Sequence, residues 1–172
     1  METDNTRLVD VVAAATEFCA AIENIGELEK REFIDAMLLS LPRLYLDFST
    51  IEVTTLEEET PYFPSYMDED YYDSIRRRVE GLLGPDDVFL ETFVEDMKYS
   101  DIPIAVSISE SLADIFQDLY NFVSIVRESG SDMLTEAFLV CQENFQSYWS
   151  QTLCNVMRPL NRLRYHGSDS EI

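Results

Sequence analysis

Three acidic residues, Glu110, Asp114 and Asp118, recur at four-residue intervals within one predicted helix. This spacing places carboxylates on one side of an α-helix, where they could face a magnesium ion. A helical wheel opposes that interpretation, because it directs Glu110 and Asp114 largely to solvent and Asp118 to the flank of the apolar face. A solvated acidic face is favoured, and no metal site is predicted.

Nucleophilic and di-iron chemistry both need histidines that this chain lacks. His166 is the only histidine and lies near the C-terminus, so neither a catalytic triad nor paired Glu-x-x-His motifs can be assembled. Cys19, Cys141 and Cys154 are odd in number and have apolar neighbours, which is typical of small buried hydrophobic residues in a reducing cytoplasm. We therefore predict no catalytic residues and no cofactor.

An acidic, aromatic segment precedes and enters the third predicted helix. Its aromatic residues are Tyr62, Phe63, Tyr66, Tyr71 and Tyr72, interleaved with the acids of residues 68–73. Aromatic anchors contribute much of the binding energy at interfaces, and acids accelerate association with a basic partner. The segment could therefore bind a basic protein. The alternative is that the rings fold back over the helices while the acids only solvate the loop.

A row of polar residues follows one edge of the last predicted helix. The row contains Asn144, Tyr148, Gln151, Asn155 and Arg158, and Trp149 borders the other side of the apolar stripe. With Asp114 and Asp118, these side chains could line a groove for a small molecule. The alternative is an ordinary polar flank on a bundle helix, with the arginines suited to the negative end of the helix dipole.

The overall charge limits the classes of partner. The chain has 34 Asp and Glu against 12 Lys and Arg, a formal net charge of -22, which disfavours binding to nucleic acids and anionic membranes. Its 46% hydrophobic composition is too apolar for an acidic disordered chain. No targeting segment or membrane span is evident in the sequence, so we expect a cytoplasmic location.

Apolar residues spaced three and four apart predict helices that position these candidate groups. The predicted helices cover residues 8–25, 28–41, 68–83, 107–126 and 132–157. Asp68, Ser107 and Asp132 are the expected N-caps of the last three. Residues 49–67 are predicted to form a long loop, and Pro42 either kinks the second helix or starts a new one.

Amphipathic helices joined by mostly short connections must pack their apolar faces together. The sequence therefore predicts an all-α, antiparallel bundle of about five helices, with room for a short β element around residues 86–106. We expect one domain over residues 1–172 and a disordered tail over 168–172.

Four segments resemble the family known as domain of unknown function 5063. They are REFIDAMLLSLPRLYL at 31–46, GLLGPDDVFLETF at 81–93, SESLADIFQDLYNF at 109–122 and NFQSYWSQTLCNVMRPL at 144–160. The resemblance covers most of the chain and implies a bacterial, cytoplasmic, mostly helical domain. It implies no activity and transfers no catalytic residue.

Two functions remain open on the sequence. The first is a non-enzymatic module that binds a basic protein through the acidic, aromatic segment and an adjacent helix. The second is a small-molecule or metal-dependent enzyme or binder, with a polar groove between the helices at 108–127 and 132–163.

Overall fold

The computed structural model describes residues 2–55, 59, 61–91 and 102–167. The helices are α1 (Glu2–Glu23), α2 (Lys30–Thr50), α3 (Glu69–Leu83), α4 (Ile108–Ser129), α5 (Leu134–Asn144) and α6 (Ser150–His166). Strands β1 (Val88–Leu90) and β2 (Ala105–Ser107) form a two-stranded antiparallel sheet. The predicted mainly α fold with a short β element is confirmed. Within the described residues, no helix is both long and apolar enough to span a membrane.

Helix α4 forms the centre of the bundle. It packs against α1, α3, α5 and α6, while α2 packs against α1 and α6. Leu112, Ile115, Phe116 and Leu119 of α4 are completely buried, and even Ser109 is inaccessible to solvent. Because α4 has neighbours on several sides, polar groups along it must find partners within the protein.

An aromatic cluster joins α2 to the C-terminal helices. The Phe48 ring lies 4.9 Å from Trp149, 5.1 Å from Phe138 and 5.8 Å from Phe145, measured between ring centroids. These rings meet in stacked, tilted and edge-on arrangements that add to the stabilisation from their burial. The cluster therefore fixes the C-terminal helical segment, from α5 through α6, against α2.

The predicted helix starts at Asp68 and Ser107 are confirmed. The Asp68 carboxylate accepts a 2.7 Å hydrogen bond from the Tyr71 amide, and the Ser107 hydroxyl accepts a 3.1 Å bond from the Glu110 amide. Each bond satisfies one of the free amides in a first helical turn. The structure adds a capping box in α2, formed by Glu29 and Glu32, that sequence analysis did not identify.

The hairpin is attached to the start of α4 by a buried carboxylate. Val88 pairs with Ser107, and Leu90 pairs with Ala105. Asp87, directly before β1, accepts a 2.7 Å bond from the Ser109 amide and a 2.6 Å bond from its hydroxyl. Burial raises the pKa of Asp87, and the Ser109 bonds oppose this shift. The hairpin and the first turn of α4 are thereby held together.

The last helix differs from its prediction in both its start and its register. Residues Gly130–Met133 form a 3-10 turn, so Asp132 does not cap a helix, and α5 begins at Leu134 without a side-chain cap. Residues Phe145–Trp149 form one π-helical segment between α5 and α6. Helix α6 then continues through Pro159 to His166.

The π-helical segment changes which side chains enter the core. Spacing for an unbroken α-helix predicts an apolar stripe through Phe145, Tyr148, Thr152 and Val156, whereas the buried residues after Phe145 are Trp149, Leu153, Val156, Pro159 and Leu160. Tyr148 is 54% exposed. An i to i+5 turn adds one residue to the helical repeat, so every later side chain is rotated relative to an unbroken α-helix.

Other predictions have mixed outcomes. Cys19 and Cys141 are buried as expected, but Cys154 is exposed. Pro42 lies inside a continuous α2. The short β element predicted around residues 86–106 is observed as Val88–Leu90 paired with Ala105–Ser107, with 92–101 outside the described residues. The tail 168–172 also lies outside them, and the expectation of one domain stays a prediction.

Candidate functional site: an acidic cleft

Asp114 lies between two tyrosines that come from different parts of the chain. Tyr72 of α3 donates a 2.6 Å hydrogen bond to Oδ1, and Tyr148 of the π-helical segment donates a 2.9 Å bond to Oδ2. The helical wheel was wrong for Asp114, which is half-buried, and correct for the exposed Glu110. Neighbouring helices cover positions that a wheel of one helix treats as open.

Both phenols remain protonated donors over the ordinary pH range. Burial raises the pKa of Tyr148 to about 12, and its hydrogen bond to Asp114 adds to the shift. The pKa of Tyr72 is also raised, first by burial and then by its bond to Asp114. The two hydroxyls therefore hold the Asp114 carboxylate in one orientation and leave its remaining lone pairs available as acceptors.

Asp118 lies one helical turn further along α4 in a less solvated position. Burial raises its pKa to about 6, and the Asp114 charge adds to the shift, although a bond from Asn144 opposes it. The Asn144 amide donates to Oδ1 at 3.2 Å. A carboxyl group with this pKa changes its protonation state just below neutral pH, whereas an ordinary surface aspartate is fully ionised there.

These side chains line two adjoining clefts, of about 500 Å³ and 310 Å³, that share Asp114 and Tyr148. The larger cleft includes Glu91 and Glu110, and the smaller one includes Asp118. We call the two together the acidic cleft, defined by its carboxylates Glu91, Glu110, Asp114 and Asp118. Among the described residues that line it, none is Lys, Arg or His.

The predicted polar row faces this cleft and its hairpin wall. Asn144 and Tyr148 contact the acids of α4, as described above. Asn155 donates a 3.0 Å bond to Glu91 Oε1, and Arg158 donates to the Leu90 carbonyl. Gln151 is exposed, and Trp149 is completely buried in the core rather than bordering it. The structure thus brings Asn144 and Tyr148 together with Asp114 and Asp118, whereas Asn155 and Arg158 contact the hairpin instead.

The acidic, aromatic segment is mostly used to cover the bundle. Phe63, Tyr71 and Tyr72 are half-buried and pack against the core. The Tyr71 hydroxyl donates a 3.0 Å bond to Glu23, and the Tyr66 amide donates a 2.8 Å bond to Asn121. Tyr62, at 91% exposure, extends furthest into solvent, and Tyr66 is also exposed. This arrangement matches the alternative in which the rings fold back.

Among the four carboxylates that define the cleft, Glu91 is the one that sequence analysis did not identify. It follows β1 directly, and its amide donates a 2.8 Å bond to the Ile104 carbonyl across the hairpin. The signal available was a carboxylate at the end of a weakly predicted strand, which does not indicate its partner on a helix more than sixty residues away. Within the described residues, no group of three or more His, Cys, Asp or Glu is arranged to hold a metal ion.

Comparisons with known proteins agree with the mainly α fold and with the family resemblance seen in the sequence. The family model for the domain of unknown function DUF5063 matches residues 3–166. This chain belongs to that family. Protein BF1032 from Bacteroides fragilis, known from a crystal structure, is 29% identical, with a TM-score of 0.77 and coverage of 95% of both chains. No curated protein matches. The family resemblance expected from the sequence is confirmed, and these relatives bring no assigned activity.

Proposed function

We propose that this DUF5063 protein is a non-enzymatic binding module that receives cationic side chains of a basic protein in the acidic cleft. The observation that carries the proposal is the lining itself, because the described residues that line the cleft include Glu91, Glu110, Asp114 and Asp118 but no Lys, Arg or His. A lysine ammonium or arginine guanidinium placed there can form charge-assisted hydrogen bonds with these carboxylates, which have no cationic partner among the described residues that line the cleft.

The geometry of Asp114 supports this proposal. Because Tyr72 and Tyr148 hold the carboxylate from both oxygens, the acceptor is oriented before a ligand arrives. Pre-orientation reduces the ordering cost of binding. The net charge of -22 adds long-range attraction, which raises the association rate for a basic partner at moderate salt. A reducing, cytoplasmic location is part of the same proposal and suits three free cysteines.

A fluorescence anisotropy titration with a short, labelled lysine- and arginine-rich peptide tests the proposal. We expect saturable binding that weakens as salt is raised, and Asp114→Asn should weaken it about ten-fold, since one charge-assisted contact is lost. Asp132→Asn is the matched control, because it removes the same charge from an exposed turn that does not line the cleft.

Equal weakening by the two variants would show that the peptide senses only the overall charge, and the cleft would then not be the binding site. Absence of any saturable binding at low salt would reject the basic-partner proposal altogether. Circular dichroism spectra of both variants check that the helical content is unchanged.

A small-molecule binder or enzyme is the second candidate, and the pKa of Asp118 favours it. A carboxyl group with a pKa of about 6 in a cleft suits a general acid or base near neutral pH. Calorimetric titration with spermidine and with magnesium separates the candidates. Tight one-to-one binding of either, together with no peptide binding, would favour the small-molecule function, whereas peptide binding alone supports the first proposal.

A further inference from the structure

A second pocket, of about 480 Å³, lies on the other side of the hairpin between β1 and the C-terminal half of α6. Its wall contains Arg158 and Arg162 together with Phe89, Pro159 and Leu163. We call it the arginine pocket. It is distinct from the acidic cleft, with which it shares only Val88.

We propose that the arginine pocket binds a small organic anion that carries an apolar body, such as a medium-chain carboxylate. Arginine presents planar N–H donors that match a carboxylate or phosphate in two parallel bonds. Arg158 uses one such donor for the Leu90 carbonyl. Arg162 also interacts within the chain, and a guanidinium has five N–H donors, so it can serve a ligand together with a contact inside the protein.

Asp86 is the acidic residue among the described residues that line this pocket, and it does not cancel the charge of the two arginines. The Asp86 side chain is only 6% exposed and forms an ion pair with Lys30, which also donates a 3.2 Å bond to the Leu83 carbonyl. Its charge is therefore compensated from behind the pocket wall. In a chain with a net charge of -22, a pocket whose described lining contains two arginines and one neutralised acid is a local reversal of the prevailing charge.

The apolar part of the wall defines the rest of the ligand. Phe89 and Leu163 are half-buried, and Pro159 is buried, so they form a hydrocarbon surface beside the guanidinium groups. Inorganic anions would leave this surface wet, whereas a hydrocarbon chain would cover it and gain from its burial. A volume near 480 Å³ is within the range of small-molecule pockets.

Isothermal titration of the full chain with octanoate tests the inference, with octanol as the neutral probe of similar size. We expect octanoate to bind at one site, and octanol to bind at least about ten-fold more weakly because it lacks the charge. Arg162→Gln should weaken octanoate about ten-fold, and Arg162→Lys should weaken it less, since the charge remains while the planar fork is lost.

Arg77→Gln is the matched control, because Arg77 is paired with Asp73 at 3.0 Å and does not line this pocket. We expect it to change octanoate affinity by less than about two-fold, since a charge outside the pocket acts on the bound anion only through solvent and is screened by salt. Equal effects of Arg162→Gln and Arg77→Gln, equal affinities for octanoate and octanol, or no octanoate binding at millimolar concentration would each overturn the inference. Melting curves of all variants confirm that the folded protein is being titrated.

Discussion

The acidic cleft and the arginine pocket are neighbours with opposite charges. Both use the β1 hairpin as one wall and the C-terminal helical segment, from α5 through α6, as another. The acidic cleft takes its third wall from the first half of α4, with Glu110 and Asp114, whereas the arginine pocket uses the second half of α6, with Arg158 and Arg162. The difference shows that a strongly acidic chain can still present a local basic surface.

Helix direction accounts for part of this separation. Carboxylates are favoured near a helix N-terminus and cations near a C-terminus, because the peptide dipoles align along the axis. Glu110 lies in the first turn of α4, where this dipole favours a carboxylate, whereas Arg158 and Arg162 precede the last turn of α6. The hairpin between the two regions is attached to both helices, through Asp87 to Ser109 of α4 and through Arg158 to Leu90.

Removing a core side chain of the helical segment that lines both pockets should have the largest effect on stability. Trp149→Ala deletes a completely buried side chain that contacts Phe48 and Phe145, and we expect a loss of about 3–5 kcal/mol in the free energy of unfolding. Urea denaturation followed by circular dichroism measures it. Tyr148→Phe is the control, since it alters the acidic cleft but leaves the core. If Trp149→Ala lowered the free energy of unfolding as little as Tyr148→Phe does, the aromatic cluster would not anchor the C-terminal helical segment.

Asp87→Ala should separate the hairpin from α4 while leaving both sets of lining charges in place. Two hydrogen bonds to Ser109 are lost and its buried donors are left unpaired, which costs about 1–3 kcal/mol in the free energy of unfolding. Faster hydrogen exchange at the β1 and β2 amides should accompany the loss. Asp132→Ala, in an exposed turn, is the control. Unchanged hairpin exchange in Asp87→Ala would assign the attachment to other contacts.

Asp118→Asn should change how stability depends on pH. The folded protein holds the Asp118 proton more tightly than the unfolded chain, because the pKa rises from 3.8 to about 6 on folding. Stability from this group therefore falls as pH rises from about 4 to above 6. We expect the variant to match the native chain near pH 4 and to be about 1–2 kcal/mol more stable near pH 8. Parallel stability curves for the two proteins would show that Asp118 is not perturbed.

The smallest expected effect comes from the cap that begins α4. Ser107→Ala removes the hydroxyl that accepts from the Glu110 amide, and we expect a cost of about 1 kcal/mol in unfolding free energy. Ser107→Asp should retain most of the stability, since a carboxylate also caps a helix. The shift in urea midpoint measures both variants. A loss for Ser107→Asp as large as that for Ser107→Ala would contradict a capping role.

Local features of the sequence predicted much of the fold. The starts of α3 and α4 follow from Asp68 and Ser107, and the end of α3 follows from Gly84, which has a φ of 58° that favours glycine. The π-helical segment was not predictable in the same way. Phe145, Tyr148 and Thr152 fit an α-helical stripe as well as Phe145, Trp149 and Leu153 fit the observed one, so periodicity alone does not distinguish them.

The candidate site was only partly accessible from the sequence. Asp114, Asp118, Asn144, Tyr148 and Asn155 were identified as polar candidates, but their contacts join helices far apart in the chain. Tyr72 was grouped with a docking segment, although its hydroxyl lies on Asp114. Spacing along one helix does not reveal which side chains another helix will cover.

The amino-acid sequence by itself determined the helical architecture, the caps of α3 and α4 and the strongly acidic charge, because these depend on local backbone preferences, apolar spacing and composition. Tertiary structure decided which carboxylates became half-buried, which tyrosines hold Asp114 and where two arginines meet an apolar wall. Those features depend on distances between segments that are remote in the chain, and packing of the core sets those distances.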